Sequence, residues 1–179
     1  LFRSRNEDTL SFSTLPKTNI PPACLSLNFY VHFVIVHLQH SMRKAMRIAQ
    51  ISPLIESVPP KLYGGTERVV SYLTEELVRL GHDVTLFASG DSLTSAELMP
   101  CVSRAIRLNP DIKDPLAYLV LMLEKVRGMA DAFDILHFHV DYVHFPIFRD
   151  LAPRAVTTVH GRQDLPDLPP LYAEFDDLP

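Results

Sequence analysis

The chain has 179 residues, of which 47% are hydrophobic and 21% are charged, as in an ordinary soluble domain with its own core. Its net charge of -4 provides no clustered basic surface, which argues against nucleic acid as a partner. Cys24 and Cys101 lie far apart without CxxC spacing, so they favour a reducing compartment, and the cytoplasm is the expected location.

Residues 1–45 differ in character from the rest of the chain. Ser, Thr, Pro, Asn and Phe are mixed there without periodicity, apart from a strand-like run at 29–36, so we expect an irregular leader that is non-native or disordered. The apolar stretch at 25–38 is shorter than the ~20 residues that span a bilayer. Regular patterning begins at Met42 or Met46, and either is an expected start of the protein.

Hydrophobic periodicity predicts regular elements from residue 46 onward. Short apolar runs bounded by turn residues predict four strands, at 46–52, 83–89, 133–139 and 155–160. Apolar residues at helical spacing predict helices at 69–81 and 114–130, with a shorter one at 143–151. Thr66 is the predicted N-cap of the first helix, and Gly81 is its predicted C-terminal stop.

Strands that alternate with helices of this length predict a parallel sheet with helices on both faces. The fold class is therefore α/β and Rossmann-like. We expect residues 46–179 to form this domain and to be truncated, because four strands ending soon before Pro179 leave an unpaired edge. The chain looks like part of a longer protein.

Ligands of a parallel α/β sheet bind outside the carboxyl ends of its strands. The segments that follow the four predicted strands should therefore converge on one crevice, and they lie at 52–68, 89–92, 137–144 and 160–164. The first of these is long for a connection between a strand and a helix, which favours a functional role.

That first segment ends in YGGTERVV, which places Gly64 and Gly65 side by side before a helix. One interpretation is a tight turn that only glycine can form. The other is the close approach of a phosphate to the unpaired N–H groups at the helix N-terminus. The pair lacks the further residues of GxGxxG and of a P-loop, so the sequence leaves both interpretations open.

Two histidines, His137 and His139, alternate along the third predicted strand and should project to the same face. Together with Asp141 they imitate the HxH metal pair of metal-dependent hydrolases. A further ligand would have to come from His160 or Asp164 on another loop. The alternative is that one histidine packs in the sheet while the other lines the crevice.

His160 and Arg162 follow the fourth predicted strand. A histidine at this place can hydrogen-bond a sugar hydroxyl or transfer a proton, and an arginine can bind a phosphate or a carboxylate. The alternative is a histidine that caps a strand end beside a surface arginine.

Four stretches in combination resemble the N-terminal domain of a retaining glycosyltransferase of family four, with the GT-B fold. They are MRIAQISP, YGGTERVVSYLTEELVRLGHDVTLFASGDS, DILHFHVDY and TTVHGR, and the resemblance extends over about residues 46–179. The most specific parts are GGTE after the first strand, RLGHDVTLFA leading into the second, and VHGR at the end of the fourth.

The resemblance implies that Gly64 and Gly65 lie against the diphosphate of a nucleotide-sugar donor. It also implies that His160 is catalytic and faces the donor sugar, and that His139 and Asp141 line the acceptor side. Glu67 matches the family pattern GGxE and is expected on the acceptor side, orienting the loop rather than touching substrate. We also assign Arg162 to the donor phosphates.

The same resemblance implies transfer of a sugar from a nucleoside diphosphate sugar to an acceptor hydroxyl, without a bound metal or other cofactor. The acceptor is a saccharide, a lipid or a small molecule. In this family a second Rossmann domain holds most of the nucleotide, so we expect this chain to be inactive alone. The alternatives are a metal-dependent hydrolase and a non-catalytic binding fragment, and the alternative location is the inner face of the membrane, as a peripheral protein.

Overall fold

The computed structural model describes residues 44–107 and 109–178. The chain divides between Lys44 and Ala45, and the unit that begins at Ala45 contains the elements given below. The leader predicted at residues 1–45, including its strand-like run, lies outside the described residues except for its last two. Cys24 and Met42 lie outside them as well.

The sheet has five parallel strands in the order β3-β2-β1-β4-β5. Their bounds are Arg47–Ile51 (β1), Asp83–Ser89 (β2), Glu97–Val102 (β3), Ile135–Phe138 (β4) and Ala155–Thr157 (β5). The parallel Rossmann-like sheet predicted from the sequence is confirmed, and all four predicted strands are present. The last one is three residues long rather than six.

Helix α1 spans Gly65–Arg79 and follows the long loop after β1. Its N-cap is Gly64, so the prediction of Thr66 as N-cap is wrong, and Thr66 lies within the first turn. Its C-terminal end matches the prediction, because Gly81 has a φ of +86° and donates its N–H to the carbonyl of Val78. The N–H of His82 reaches the carbonyl of Leu77, which completes a Schellman motif.

Strand β3 was not predicted from the sequence. It contains Pro100, which normally argues against a strand, but β3 is the edge of the sheet and an edge tolerates proline. The connection from β2 to β3 contains no helix. It is held against α1 by Glu75, whose carboxylate accepts hydrogen bonds from Thr94 Oγ1 at 2.7 Å and from the N–H of Ser95 at 3.0 Å.

Helix α2 spans Pro115–Met129, and the side chain of Asp114 caps it by accepting the N–H of Leu116 at 3.0 Å. Helices α1 and α2 cover opposite faces of the sheet, as predicted. Leu86 in β2 packs with Val70 of α1, whereas the next residue, Phe87, belongs to the larger core that includes α2.

The remaining elements are short. Helix α3 spans Phe145–Phe148 and continues into a 3-10 turn at Arg149–Arg154, which agrees with the helix predicted at 143–151. Helix α4 spans Leu168–Glu174 and has two prolines in its first turn. No helix within residues 44–107 and 109–178 has the length and apolar character needed to cross a bilayer.

Candidate functional site

The strand order reverses between β1 and β4, which are hydrogen-bonded neighbours in the sheet. Beyond β1 the chain runs to one side through β2 and β3, and beyond β4 it runs to the other side. The loops that leave the carboxyl ends of two such strands diverge and open a crevice, which is where sheets of this order bind their ligands. Four segments were predicted to converge, and those after β1, β4 and β5 leave the sheet at this crevice. The fourth, after β2, contacts the loop after β1, because Ser92 Oγ accepts the N–H of Val58 at 2.9 Å.

The two glycines of the first loop have different environments. Gly64 is buried, and a Cβ placed on it would lie 2.7 Å from Pro60 Cβ and 3.0 Å from Glu67 Oε2. Gly65 is exposed, and a Cβ placed on it would meet no atom within 4 Å. Packing therefore accounts for Gly64, whereas nothing within the described domain requires a glycine at position 65.

Glu67 lies inside the loop rather than on its surface. Its side chain is only 4% exposed, and Oε1 accepts the N–H of Glu56 at 3.3 Å. The carboxylate therefore joins the first turn of α1 to the middle of the preceding loop. This geometry supports the orienting role of Glu67 more than direct contact with a substrate.

A chain of hydrogen bonds links three histidines at the ends of β4 and β5. His137 Nε2 lies 2.8 Å from Thr158 Oγ1, and His137 Nδ1 lies 3.3 Å from Gln50 Nε2. Gln50 Oε1 lies 2.9 Å from His139 Nε2, and His139 Nδ1 lies 2.9 Å from His160 Nε2. The rings of His137 and His139 are 4.2 Å apart, which confirms that they project to the same face.

The direction of these bonds follows from the orientation of the Gln50 amide. Its oxygen can only accept, so His139 must carry its proton on Nε2 and present a lone pair on Nδ1. His160 must then donate from Nε2. Burial lowers the pKa of His139 to about 3, with the charges of His137 and His160 adding to the effect, so His139 is neutral near pH 7.

Asp141 ties the loop after β4 to the loop after β5. It adopts a positive φ of 50°, and its Oδ1 accepts the N–H of His160 at 3.1 Å and that of Gly161 at 3.4 Å. Arg162 extends into solvent and pairs with Asp164, with Nε to Oδ1 at 2.9 Å and Nη2 to Oδ2 at 2.7 Å. Solvent screens an exposed pair of this kind, so a phosphate can compete for Arg162.

The histidines do not form a metal site in this arrangement. Within the described residues there is no group of three or more His, Cys, Asp or Glu side chains placed to hold a metal ion. All four ring nitrogens of His137 and His139 face Gln50, Thr158 or His160. The geometry therefore gives the metal-dependent hydrolase interpretation no set of ligands.

A pocket of about 350 Å³ opens at the carboxyl ends of β1 and β4. His139 and Asp141, which the family resemblance assigns to the acceptor side, line it together with ten residues that were not selected individually as site residues. These are Pro53, Leu54, Ile55, Thr66, Ile106, Pro115, Leu116, Leu119, Val140 and Val143. Most of them are apolar and resemble core residues in the sequence.

Together, the strand order, the helices on both faces and the crevice beside β1 and β4 define an α/β domain of the Rossmann type. The sequence profile of Glycosyltransferase Family 4 matches residues 63–176, which is more than half of the chain. The chain belongs to this family, and the resemblance noted in the sequence is confirmed.

A comparison with solved structures matches the crystal structure of AviGT4, a glycosyltransferase involved in avilamycin A biosynthesis. The identity is 23% and the TM-score is 0.43, and the match covers 65% of this chain and 32% of that one. The matched part therefore spans about a third of the length of that protein. A comparison with curated protein sequences finds no match.

Proposed function

We propose that this domain is the acceptor-side half of a retaining glycosyltransferase that uses a nucleoside diphosphate sugar. The observation that carries the proposal is the family match, which begins at Tyr63 and so includes the whole glycine pair. In the reaction, the acceptor hydroxyl oxygen bonds to the anomeric carbon while the bond from that carbon to the diphosphate breaks. The hydroxyl proton passes to the leaving diphosphate.

Gly65 is the residue we assign to the donor diphosphate. It is the first residue of α1, a helix of 15 residues, and its surface is open. The N–H groups of the first helical turn have no partner within the helix, and the helix dipole favours an anion beside them. A side chain at position 65 would occupy the space through which a phosphate reaches these groups. Gly64 supports the site by allowing the loop to pack against Pro60.

His160 is the residue we assign to the donor sugar. The hydrogen bond of its Nε2 to His139 orients the ring, and the hydrogen bond of its backbone N–H to Asp141 holds the main chain. In the neutral ring, the remaining nitrogen, Nδ1, is an acceptor for a sugar hydroxyl. Arg162 is assigned to the donor phosphates, for which it would have to leave Asp164.

We further propose that a second Rossmann domain holds most of the nucleotide, as the family resemblance implies. Transfer needs both walls of the cleft to position the donor, so the domain described here should transfer little sugar by itself. No resident metal ion takes part in this proposal, and the cytoplasm is the proposed location.

The test is glycosyl transfer by a version of the protein that includes the second domain, measured with a panel of nucleoside diphosphate sugars. Gly65→Val should lower kcat/KM about a hundredfold, as expected for loss of preorganised N–H contacts in the transition state. Leu80→Met, at the other end of α1, should change it less than about twofold. Equal effects of the two substitutions would contradict the role of Gly65.

Two further readouts separate the parts of the proposal. Retention predicts that the first product detected by NMR has the same anomeric configuration as the donor. Activity in excess EDTA should equal activity without it, and a loss there would contradict the metal-free mechanism. No transfer from any donor would favour the non-catalytic binding fragment instead.

A further inference from the structure

The pocket at the carboxyl ends of β1 and β4 has mainly apolar walls. Nine of its twelve lining residues are Pro, Leu, Ile or Val, and the polar ones are Thr66, His139 and Asp141. Its volume of about 350 Å³ lies at the small end of the ~300–1,000 Å³ that is usual for small-molecule sites. A compact ligand therefore suits it.

In the wall that the loop after β1 contributes to the pocket, two backbone carbonyls are already hydrogen-bonded. The carbonyl of Leu54 accepts the N–H of Ile106 at 3.0 Å, and the carbonyl of Ile55 accepts that of Arg107 at 3.0 Å. These bonds join the loop after β1 to the segment after β3. Because both carbonyls are occupied, this wall offers a ligand two fewer hydrogen-bond acceptors.

His139 also has little to offer a ligand. It is 2% exposed, its Nε2 donates to Gln50, and its Nδ1 accepts from His160. Both of its ring nitrogens are therefore engaged by neighbouring side chains, and neither is free to bind a ligand. The polar side chains of the lining that remain are the Thr66 hydroxyl and the Asp141 carboxylate.

Asp141 is the stronger of these two groups. Its Oδ1 is occupied by the N–H groups of His160 and Gly161, whereas its Oδ2 accepts no hydrogen bond from the described residues. A carboxylate oxygen can accept a hydroxyl proton in a charge-assisted hydrogen bond. The pocket therefore combines one strong acceptor with apolar walls.

We propose that the acceptor is a compact apolar molecule with a hydroxyl group, such as a fused-ring phenol, rather than a saccharide. This inference rests on the proposed function, because it names the substrate of the same site. The apolar body lies against Leu54, Leu116 and Leu119, and the hydroxyl donates to Asp141 Oδ2. A saccharide has several hydroxyl groups, and each one left unpaired against these walls would cost about 1–3 kcal/mol.

The test is direct binding of 2-naphthol to the full chain, followed by the fluorescence of the ligand. The chain contains no tryptophan, so no indole emission interferes. We expect saturable binding of 2-naphthol, and at least about tenfold weaker binding of naphthalene, which lacks the donor to Asp141. Methyl glucoside should not compete.

Three variants locate the binding. Leu116→Glu places a charge at the rim of the pocket and should weaken binding at least about fivefold, because the charge must be desolvated. Leu121→Glu is the matched control on α2, since Leu121 is 63% exposed and does not line the pocket, and binding should change less than about twofold. Asp141→Asn keeps an oxygen for the two N–H groups and should weaken binding of 2-naphthol but not of naphthalene.

The outcomes separate this inference from the proposed function, because no sugar donor is present. Absence of saturable binding, equal effects of Leu116→Glu and Leu121→Glu, or competition by methyl glucoside would each overturn the inference. Transfer to saccharides without naphthol binding would overturn it and leave the proposed function intact. Naphthol binding with the expected variant pattern supports it, and a failure of transfer would then count against the proposed function alone.

Discussion

The glycine pair permits a test that separates packing from ligand access, because an added methyl group meets different surroundings at each position. In Gly64→Ala, the new Cβ would lie 2.7 Å from Pro60 Cβ. Ordinary carbon contacts begin near ~3.5 Å, so the two atoms must separate by about 0.8 Å. Pro60 is buried and its ring is rigid, so the loop itself must shift.

The expected cost of Gly64→Ala is about 1–3 kcal/mol, the usual range for an extra methyl group in a packed site. In Gly65→Ala the methyl group meets no atom within 4 Å. Alanine also restricts the unfolded chain, so this variant should be as stable as wild type or more stable by about 0.4–1 kcal/mol. The two variants should therefore differ by about 1–4 kcal/mol, which corresponds to a difference in Tm of about 2–4 °C per kcal/mol for a chain of this size.

Urea unfolding followed by circular dichroism measures both variants against wild type. Equal m-values would show that the change lies in stability rather than in the denatured state. Gly64→Ala with wild-type stability would refute the packing argument. A large loss of stability in Gly65→Ala would refute the claim that position 65 is open.

Three other predictions concern the buried polar groups. Gln50→Leu should lower the free energy of unfolding by about 2–3 kcal/mol, because it leaves His139 Nε2 without its acceptor. The control is Thr74→Val, at an equally buried hydroxyl that has no partner within the described residues, and it should be neutral or stabilising. Similar losses of stability for the two variants in urea unfolding would contradict this prediction. Burial lowers the pKa of His139 and of His144 to about 3, below the unfolded value near 6.5. Unfolding therefore takes up protons below pH 6.5. The free energy of unfolding should be level above about pH 7 and should fall toward pH 5 by up to about 1.4 kcal/mol per pH unit for each histidine. A flat profile between pH 7 and 5 would refute the lowered pKa values of these two histidines. Burial raises the pKa of the Cys101 thiol to about 11, so iodoacetamide at pH 8 should label it about a hundredfold more slowly in the native chain than in urea, as followed by mass spectrometry.

The sequence predicted the parts of the fold in which one residue type is strongly preferred. Asp83–Ser89 is a buried apolar run with turn residues on both sides, and its predicted bounds match the strand. Gly81 ends α1 as predicted because the Schellman motif needs a positive φ. Strand β3 was missed because an edge strand is only half-buried and tolerates Pro100, so it lacks the apolar run and the alternation that identify the other strands.

The candidate site was predicted in position but not in connectivity. Strand ends identified His139, Asp141 and His160, since parallel strands bring their carboxyl ends to one edge. Nothing in the sequence indicated that Gln50 joins His137 to His139, because a glutamine inside an apolar strand is usually placed by tertiary contacts. The sequence placed the loop that contains Leu54 at the crevice, but it did not indicate the wall formed by Ile106. That residue follows β3, a strand that was not predicted, and it meets the loop only after folding.

The edge strand has a consequence for the behaviour of the protein at high concentration. In an extended strand the N–H and the C=O of one residue point to the same side. The carbonyl of Pro100 accepts a hydrogen bond from Lys125 Nζ at 3.0 Å, so that side of Pro100 faces the open edge of the sheet. Proline has no N–H to offer there, and its carbonyl is already occupied. A second chain that approaches β3 therefore finds a gap in the ladder and a nearby positive charge, and both discourage edge-to-edge aggregation.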